Sequence, residues 1–303
     1  MKVIITGISG FVGQNLLFYL NQKEIEVLEL CLRFQSWSNK IDMSADAIIH
    51  LAGKAHDTKN VNSIDEYFNV NRDLTIKLFN KFLNSNIKDF FFFSSVKAAA
   101  DSTESVLLES INANPQTPYG VSKLEAEQYL LSQKLPKGKR LFILRPVMIH
   151  GAQNKGNLNL LYKVVEKDVP WFLTKFKNER SFLSIDNLNF IVYEMLKNKS
   201  LESGIYNLAD DQTVSTNKLI KIISHTLEKK AKFWNMPFWL IKSIVWLGNI
   251  FPFFPLNSEH LKKLTESYVV SNKKIKQALG IKKLPLTAEE GLIKTIQSFK
   301  NNK

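Results

Sequence analysis

The sequence predicts an α/β fold, a doubly wound parallel sheet with a smaller, mainly helical C-terminal region folded against it. Two observations carry this expectation. Through the first two-thirds of the 303 residues, short apolar runs alternate with longer segments of helical spacing, the pattern of βαβ units. Several of the runs are apolar at every position, as happens when helices cover both faces of a sheet.

Residues 3–6, 27–32, 47–51, 90–93 and 141–144 read as strands, and 11–20, 65–83 and 118–131 as helices. Thr117 before Pro118 supplies an N-cap and a first-turn proline for the last of these. After Arg145-Pro146 the regularity loosens. Residues 158–167, 187–196 and 217–229 keep helical spacing, 204–208 reads as a returning strand, and 288–299 as a closing amphipathic helix. The expected division is a first domain over 1–150 with returning segments near 183–208, and a cap built from 151–182 and 209–303.

Composition narrows the function. With 45% hydrophobic and 23% charged residues the chain is neither disordered nor fibrous. A net charge of +13 raises nucleic acid or an anionic surface as partners. The lysines are scattered, however, and neither zinc-finger spacing nor an RNA-binding aromatic signature accompanies them, so no nucleic acid is expected. The lone cysteine, Cys31, forbids an internal disulfide, and Met1-Lys2 leads into a strand without a cleavable signal pattern, which predicts a cytoplasmic protein. His50, His56, His150, His225 and His260 show no metal-ligand spacing, so no metal is expected. No uncharged apolar run reaches the roughly 18 residues of a membrane span. The nearest, 233–256, is rich in Trp and Phe but is interrupted by Lys242 and bounded or broken by Pro237, Pro252 and Pro255. Its simplest reading is packing between cap and main domain; the alternative is peripheral attachment to a membrane.

In an open parallel sheet ligands bind beyond the carboxyl ends of the strands. The first strand ends in Thr6-Gly7-Ile8-Ser9-Gly10-Phe11-Val12-Gly13 and passes into a helix. Three glycines there make a tight turn whose backbone N–H groups suit a pyrophosphate. The fourth strand ends in Ser94-Ser95, and the following helix opens with Tyr119-Gly120-Val121-Ser122-Lys123, placing a phenol and an ammonium on one helix face. A phenol is a poor base at neutral pH, but an ammonium and an oxidised nicotinamide beside it favour the phenolate. Tyr119 would then exchange the proton of a sugar hydroxyl that Ser95 orients.

Taken in order and spacing, Thr6-Gly7-x-x-Gly10-x-x-Gly13, Asp46 to Gly53, Asn71, Ser94-Ser95, Tyr119-x-x-x-Lys123 and Arg145-Pro146 resemble an extended short-chain dehydrogenase/reductase of the NAD-dependent epimerase/dehydratase family. The resemblance covers nearly the whole chain. It implies a Rossmann domain holding NAD or NADP, a substrate-binding cap holding a nucleotide sugar, and often a homodimer formed through helices like 65–83 and 118–131. By this similarity Gly7, Ser9, Gly10, Phe11, Val12, Gly13, Leu51, Ala52, Gly53 and Asn71 line the cofactor, Lys123 also reaches its nicotinamide ribose, and Pro146 borders the nicotinamide. Lys155-Gly156-Asn157 and the segment from Arg180 to Asn187 resemble those that grip the nucleotide diphosphate, with Asn157 and Arg180 the candidates. Leu264 to Val270 resembles the family's closing pattern.

Two departures bear on function. Where NAD-using members carry an acid at the end of the second strand, this chain has Cys31 followed by Leu32-Arg33, and Arg33 suits a 2′-phosphate, so NADP competes with NAD. After the catalytic serine, sugar dehydratases carry an acidic pair, and this chain has Val96-Lys97, which disfavours dehydration. The resemblance then implies a 4-epimerase of a UDP-hexose or UDP-N-acetylhexosamine in surface-polysaccharide sugar synthesis, with an NAD(P)H-dependent 4-ketoreductase of a UDP-4-keto-6-deoxy-N-acetylamino sugar as the alternative. A non-catalytic NAD(P)-sensing module is the third reading, opposed by the joint presence of Ser95, Tyr119 and Lys123.

Overall fold

The computed structural model describes residues 1–54, 64–152, 154, 157–251 and 256–301, apart from the side chains of Asn157 and Asn301. The chain opens with β1 (Lys2–Thr6), α1 (Phe11–Gln22), β2 (Glu26–Leu30) and β3 (Ala47–His50). A helical passage follows: α2 (Ile64–Tyr67), a π-helical segment over Phe68–Asp73, and α3 (Leu74–Leu83). β4 (Asp89–Phe93), α4 (Pro118–Ser132), β5 (Arg140–Pro146) and β6 (Met148–His150) complete the first half. Then come α5 (Asn157–Glu166), β7 (Phe182–Ser184), α6 (Ile185–Lys197), β8 (Gly204–Leu208) and α7 (Thr216–Thr226). The chain closes with α8 (Phe238–Ile250), α9 (Ser258–Thr265), α10 (Lys273–Leu279) and α11 (Ala288–Asn301).

Six strands form one parallel sheet in the order β2-β1-β3-β4-β5-β8, which is the Rossmann-like arrangement. From β1 the chain goes outward to β2 and then returns to the other side as β3, so the crevice between β1 and β3 is the topological switch point where ligands enter such sheets. Thr6 and His50 are register partners at that crevice.

The uninterrupted apolar strands divide their side chains by parity. Val3, Ile5, Phe91 and Phe142 pack on one face with α1 and α6, while Ile4, Phe90, Phe92 and Ile143 pack on the other with α3 and α4. A second cluster, built by α5, α7, α8 and α11 around Trp171, Ile223 and Leu292, gives the C-terminal region a core of its own. β6 and β7 form a separate parallel pair beyond the main sheet. These three-residue strands escape the sequence pattern because they are too short to show a period.

The stretch 233–256 departs from its expected burial. Only one side of α8 packs inward, through Ile241, Val245 and Gly248, while Trp239 and Trp246 are 68% and 62% exposed. The buried face joins the C-terminal region's own core and does not pack between cap and main domain, and the tryptophans lie outside that core. Pro252 and Pro255 lie outside the described residues, and no helix among the described residues is long and apolar enough to cross a membrane.

Candidate active site

β1, β3 and β4 deliver their C-terminal loops to one crevice. Gly7 adopts φ +72°, a conformation open to glycine, and a Cβ on it would stand 2.7 Å from the Ala52 nitrogen. A Cβ on Gly13 would stand 2.5 Å from the Gly7 carbonyl oxygen. Glycine at these positions lets the loop fold tightly between the strand and α1. Gly10 precedes α1 and places no side chain over its first amides, which have no partners within a helix. Ser9 stands in the same turn and Phe11 and Val12 open α1, so the cradle fits a pyrophosphate held by backbone N–H groups.

A buried polar chain ties this loop to the next two elements. His50 Nδ1 lies 2.7 Å from Thr6 Oγ1 and its Nε2 2.9 Å from Thr75 Oγ1, while Thr75 donates to the Asn71 carbonyl at 2.8 Å. Burial, helped by the nearby Lys123 charge, pushes the His50 pKa down to about 3, so the ring is neutral. Thr6 Oγ1 accepts from the Ala52 amide at 3.1 Å, fixing the strand-end segment Leu51-Ala52-Gly53.

Asn71 sits in the π-helical segment, fully buried. Its Oδ1 accepts from the Lys54 amide at 2.8 Å, and its Nδ2 donates to the Lys54 carbonyl and to Ser122 Oγ, each at 3.1 Å. It thus holds the segment after β3 against α4. A Cβ on Gly53 would lie 3.1 Å from both Asn71 Oδ1 and Lys123 Nζ, so Gly53, Asn71 and Lys123 are immediate neighbours.

α4 carries the candidate acid–base pair, Tyr119 and Lys123. Thr117 caps it by accepting from the Gly120 amide at 3.2 Å. Asp101 in turn accepts from the Thr117 hydroxyl at 2.9 Å and from the Gln116 amide at 2.6 Å. Gly120 permits the first turn of α4 to press on the short 3-10 turn Val96–Ala98, where a Cβ would meet the Lys97 carbonyl at 2.5 Å. That approach brings Tyr119 into hydrogen bonding with Ser95. Burial raises the Tyr119 pKa, the Ser95 hydrogen bond offsets part of the rise, and Tyr67 adds to it. The Tyr67 ring meets that of Tyr119 edge-on, 6.3 Å between centroids.

One turn on, Lys123 Nζ donates to the Phe93 carbonyl at 2.8 Å and lies 4.8 Å from the centroid of Phe92. Burial draws its pKa down to about 8, with Glu127 pulling the other way. Glu127 is a residue the sequence reading passed over. It receives the Ser94 hydroxyl and a two-pronged contact from Arg145, with Arg145 Nε at 2.9 Å from Oε1 and Nη2 on Oε2. The pair is almost wholly buried and locks β4, α4 and β5 beneath Ser95. Its spacing four residues after Lys123 puts Glu127 on the same helix face, the one signal available in the sequence.

The remaining candidates stand around this centre. Pro146 is buried at the end of β5, paired with Leu208. Arg180 lies between Val214 and Tyr268, with its guanidinium donating to the Lys263 carbonyl. Burial lowers its pKa. Its bridge partner Tyr268 donates to the Val96 and Ala100 carbonyls and lies 4.3 Å from Lys97 Nζ at its ring centroid, so Tyr268 links the Arg180 segment to the turn after Ser95. Arg33 stands apart, exposed past β2, where it lines a surface depression of about 560 Å³ with Lys77 and Lys81 of α3. Lys155, Gly156, the Asn157 side chain and His56 lie outside the described residues, and no metal-holding cluster occurs among the described residues.

Known proteins share this fold. The UDP-glucose 4-epimerase of Vibrio cholerae is 27% identical over 320 residues, covering 98% of this chain and 95% of that protein. The N-acetyl-alpha-D-glucosaminyl-diphospho-ditrans,octacis-undecaprenol 4-epimerase of Escherichia coli O157:H7 is 27% identical over 254 residues, 78% and 76% of the two chains. Among solved structures, the Thermus thermophilus UDP-glucose 4-epimerase complex with NAD superposes with a TM-score of 0.76 at 18% identity, over 100% of both chains. RMD from Pseudomonas aeruginosa complexed with NADPH gives 0.75 at 18%, over 99% and 100%. A family model described as the NAD dependent epimerase/dehydratase family matches residues 3–209, and the chain belongs to that family of nucleotide-sugar epimerases and reductases.

Proposed function

We propose that this protein is an NAD(P)-dependent 4-epimerase of a UDP-hexose or UDP-N-acetylhexosamine. The observation that carries the reading is the meeting of Ser95, Tyr119 and Lys123 beside the Gly7 to Gly13 cradle. The near full-length likeness to the Vibrio cholerae epimerase supports the choice of reaction.

The glycine cradle, Leu51 to Gly53, Asn71 and Lys123 would hold the dinucleotide, with Pro146 bordering its nicotinamide. When bound, its oxidised nicotinamide supplies a positive charge and reversible two-electron oxidation of the C4 carbinol. Tyr119 Oη takes the C4 hydroxyl proton as the carbon becomes a ketone, and returns it after the ketone has presented its other face. Because burial keeps the phenol protonated in the chain alone, Tyr119 becomes a base only when positive charge gathers around it. Lys123 contributes such a charge from a fixed position, its Nζ anchored on the Phe93 carbonyl. Ser95 orients the reacting oxygen through the hydroxyl that already bonds the phenol. Arg180, linked through Tyr268 to the turn after Ser95, is the candidate for the sugar diphosphate, and Asn157 is proposed beside it from the sequence resemblance alone.

The Escherichia coli relative is named for a sugar joined through a diphosphate to a polyprenol, and the Vibrio relative for one joined to uridine. A hexose on a diphosphate is common to both names. A second reading, the 4-ketoreductase, is favoured by one observation: Arg33, Lys77 and Lys81 surround the depression past β2, a setting suited to the 2′-phosphate of NADPH. Incubating the purified chain with UDP-glucose and UDP-GlcNAc, without added cofactor, tests the choice. The 4-epimer, with NAD released on denaturation, is the expected result. Inertness toward both, with NADPH-dependent reduction of a 4-keto sugar, would replace the epimerase by the reductase.

A further inference from the structure

We propose that the outer face of α8 is a docking face for the anionic surface of a lipid bilayer. Trp239, Trp246 and Ile250 follow one another at helical spacing along this face and are 68%, 62% and 50% exposed. Lys242 stands beside them with its Nζ 4.9 Å from the centroid of Phe238, itself exposed. The opposite side of the same helix is already committed. Ile241 and Val245 enter the C-terminal core, and a Cβ on Gly248 would collide with the Leu256 carbonyl oxygen. A helix seated that closely cannot roll its tryptophans inward, so they face away from the protein.

Charge identifies the occupant. From Lys229 through Ser258 the sequence holds four lysines and not one Asp or Glu; Lys229 and Lys232 pair with Asp168, which leaves the charges of Lys230 and Lys242, and the neighbouring segment adds exposed Lys175 and Lys177 next to Phe176, whose ring packs on Phe238. Tryptophan favours the headgroup level of a bilayer, and lysine can bury its stem while its ammonium meets lipid phosphate. A second copy of the chain would instead have to bury lysine, which protein interfaces avoid, and would set this positive face against another like it. With 13 residues, α8 is about 20 Å long, short of the roughly 30 Å hydrocarbon core, so it lies on the bilayer and does not cross it. α9 packs on α8, and its Lys263 carbonyl receives the Arg180 guanidinium. Docking would therefore place the candidate diphosphate residue close to the membrane surface.

Flotation of the full chain with vesicles tests this directly. The protein is expected to float with vesicles of mixed phosphatidylglycerol and phosphatidylcholine at about 50 mM salt and to lose most binding at about 500 mM or on pure phosphatidylcholine. Trp239→Ser with Trp246→Ser should weaken partitioning at least about tenfold. The same double variant should keep its melting temperature and its turnover of a soluble UDP-sugar. Vesicles with brominated acyl chains should quench wild-type tryptophan fluorescence, a readout that needs no variant. Absence of flotation and quenching overturns the proposal, as does equal flotation by the double variant. A lipid-free dimer dissolved by the same two substitutions, without flotation of the wild type, would assign the face to a second copy and also overturn it.

Discussion

A methyl group on Gly120 would stand 2.5 Å from the carbonyl oxygen of Lys97, so the first turn of α4 rests directly on the turn that follows Ser95. This contact sets the spacing between the phenol on α4 and the serine hydroxyl after β4. Gly120→Ala must push the two apart by a substantial fraction of an ångström. We predict a fall in kcat of about a hundredfold, the scale of a misplaced catalytic group, with the cofactor still bound. Steady-state kinetics alongside cofactor fluorescence titration would check it.

The Glu127–Arg145 pair lies beneath the same turn, out of reach of solvent. Glu127→Gln leaves the Arg145 charge buried without its counter-charge and weakens the partner of Ser94. A loss of about 3 kcal/mol in unfolding free energy is expected at neutral pH, measured by urea titration. The methionine double replacement of both residues should cost less than the single change, because it leaves no unpaired charge.

His50 makes stability depend on acid. Its folded pKa near 3 lies below the ordinary value of 6.5, so below about pH 6.5 the unfolded chain takes up a proton that the folded chain refuses. Stability is therefore lost as pH falls from 6.5 toward 3 and is fully present above 6.5. His50→Gln should remove one proton from that dependence, seen as a shallower fall in the urea midpoint between pH 6.5 and 4.5.

Arg33, Lys77 and Lys81 form the cationic rim past β2. Arg33→Ala is predicted to weaken NADPH binding about tenfold while changing NADH affinity less than about twofold, the effect of losing one charged contact to a phosphate. Equal losses for both nucleotides would remove Arg33 from cofactor selection.

The sheet and the candidate site were legible in the sequence for a physical reason. Buried parallel strands must be apolar at every position, and the glycines of the first loop are forced by contacts that exclude a side chain, so both leave marks in the residues themselves. Ser95, Tyr119 and Lys123 stand out as candidates through their combination with the glycine turn and the family resemblance, not through spacing alone, and Gly204–Leu208 matches its strand at both ends. Other features leave no local mark. The π-helical turn that seats Asn71 keeps the apolar spacing of an ordinary helix, so 65–83 reads as one continuous element. Glu127 and Arg145 meet across 18 residues of chain, and Asp101 reaches Thr117 across 16. The exposure of Trp239 and Trp246 was opposite to expectation, because a helix with bulky apolar residues on most of its circumference hides which of its faces the rest of the fold will cover.

Tyr119 stands at the centre of the proposed reaction, since it alone carries the proton of the reacting hydroxyl. Tyr119→Phe keeps the ring and its packing against Tyr67 and removes only the phenolic oxygen. Single-turnover conversion of the UDP-sugar, with bound cofactor quantified in the same sample, is the most direct measurement. A rate reduced by about a thousandfold, with cofactor content unchanged, is the expected result. Conversion within a few-fold of wild type would contradict the role assigned to Tyr119.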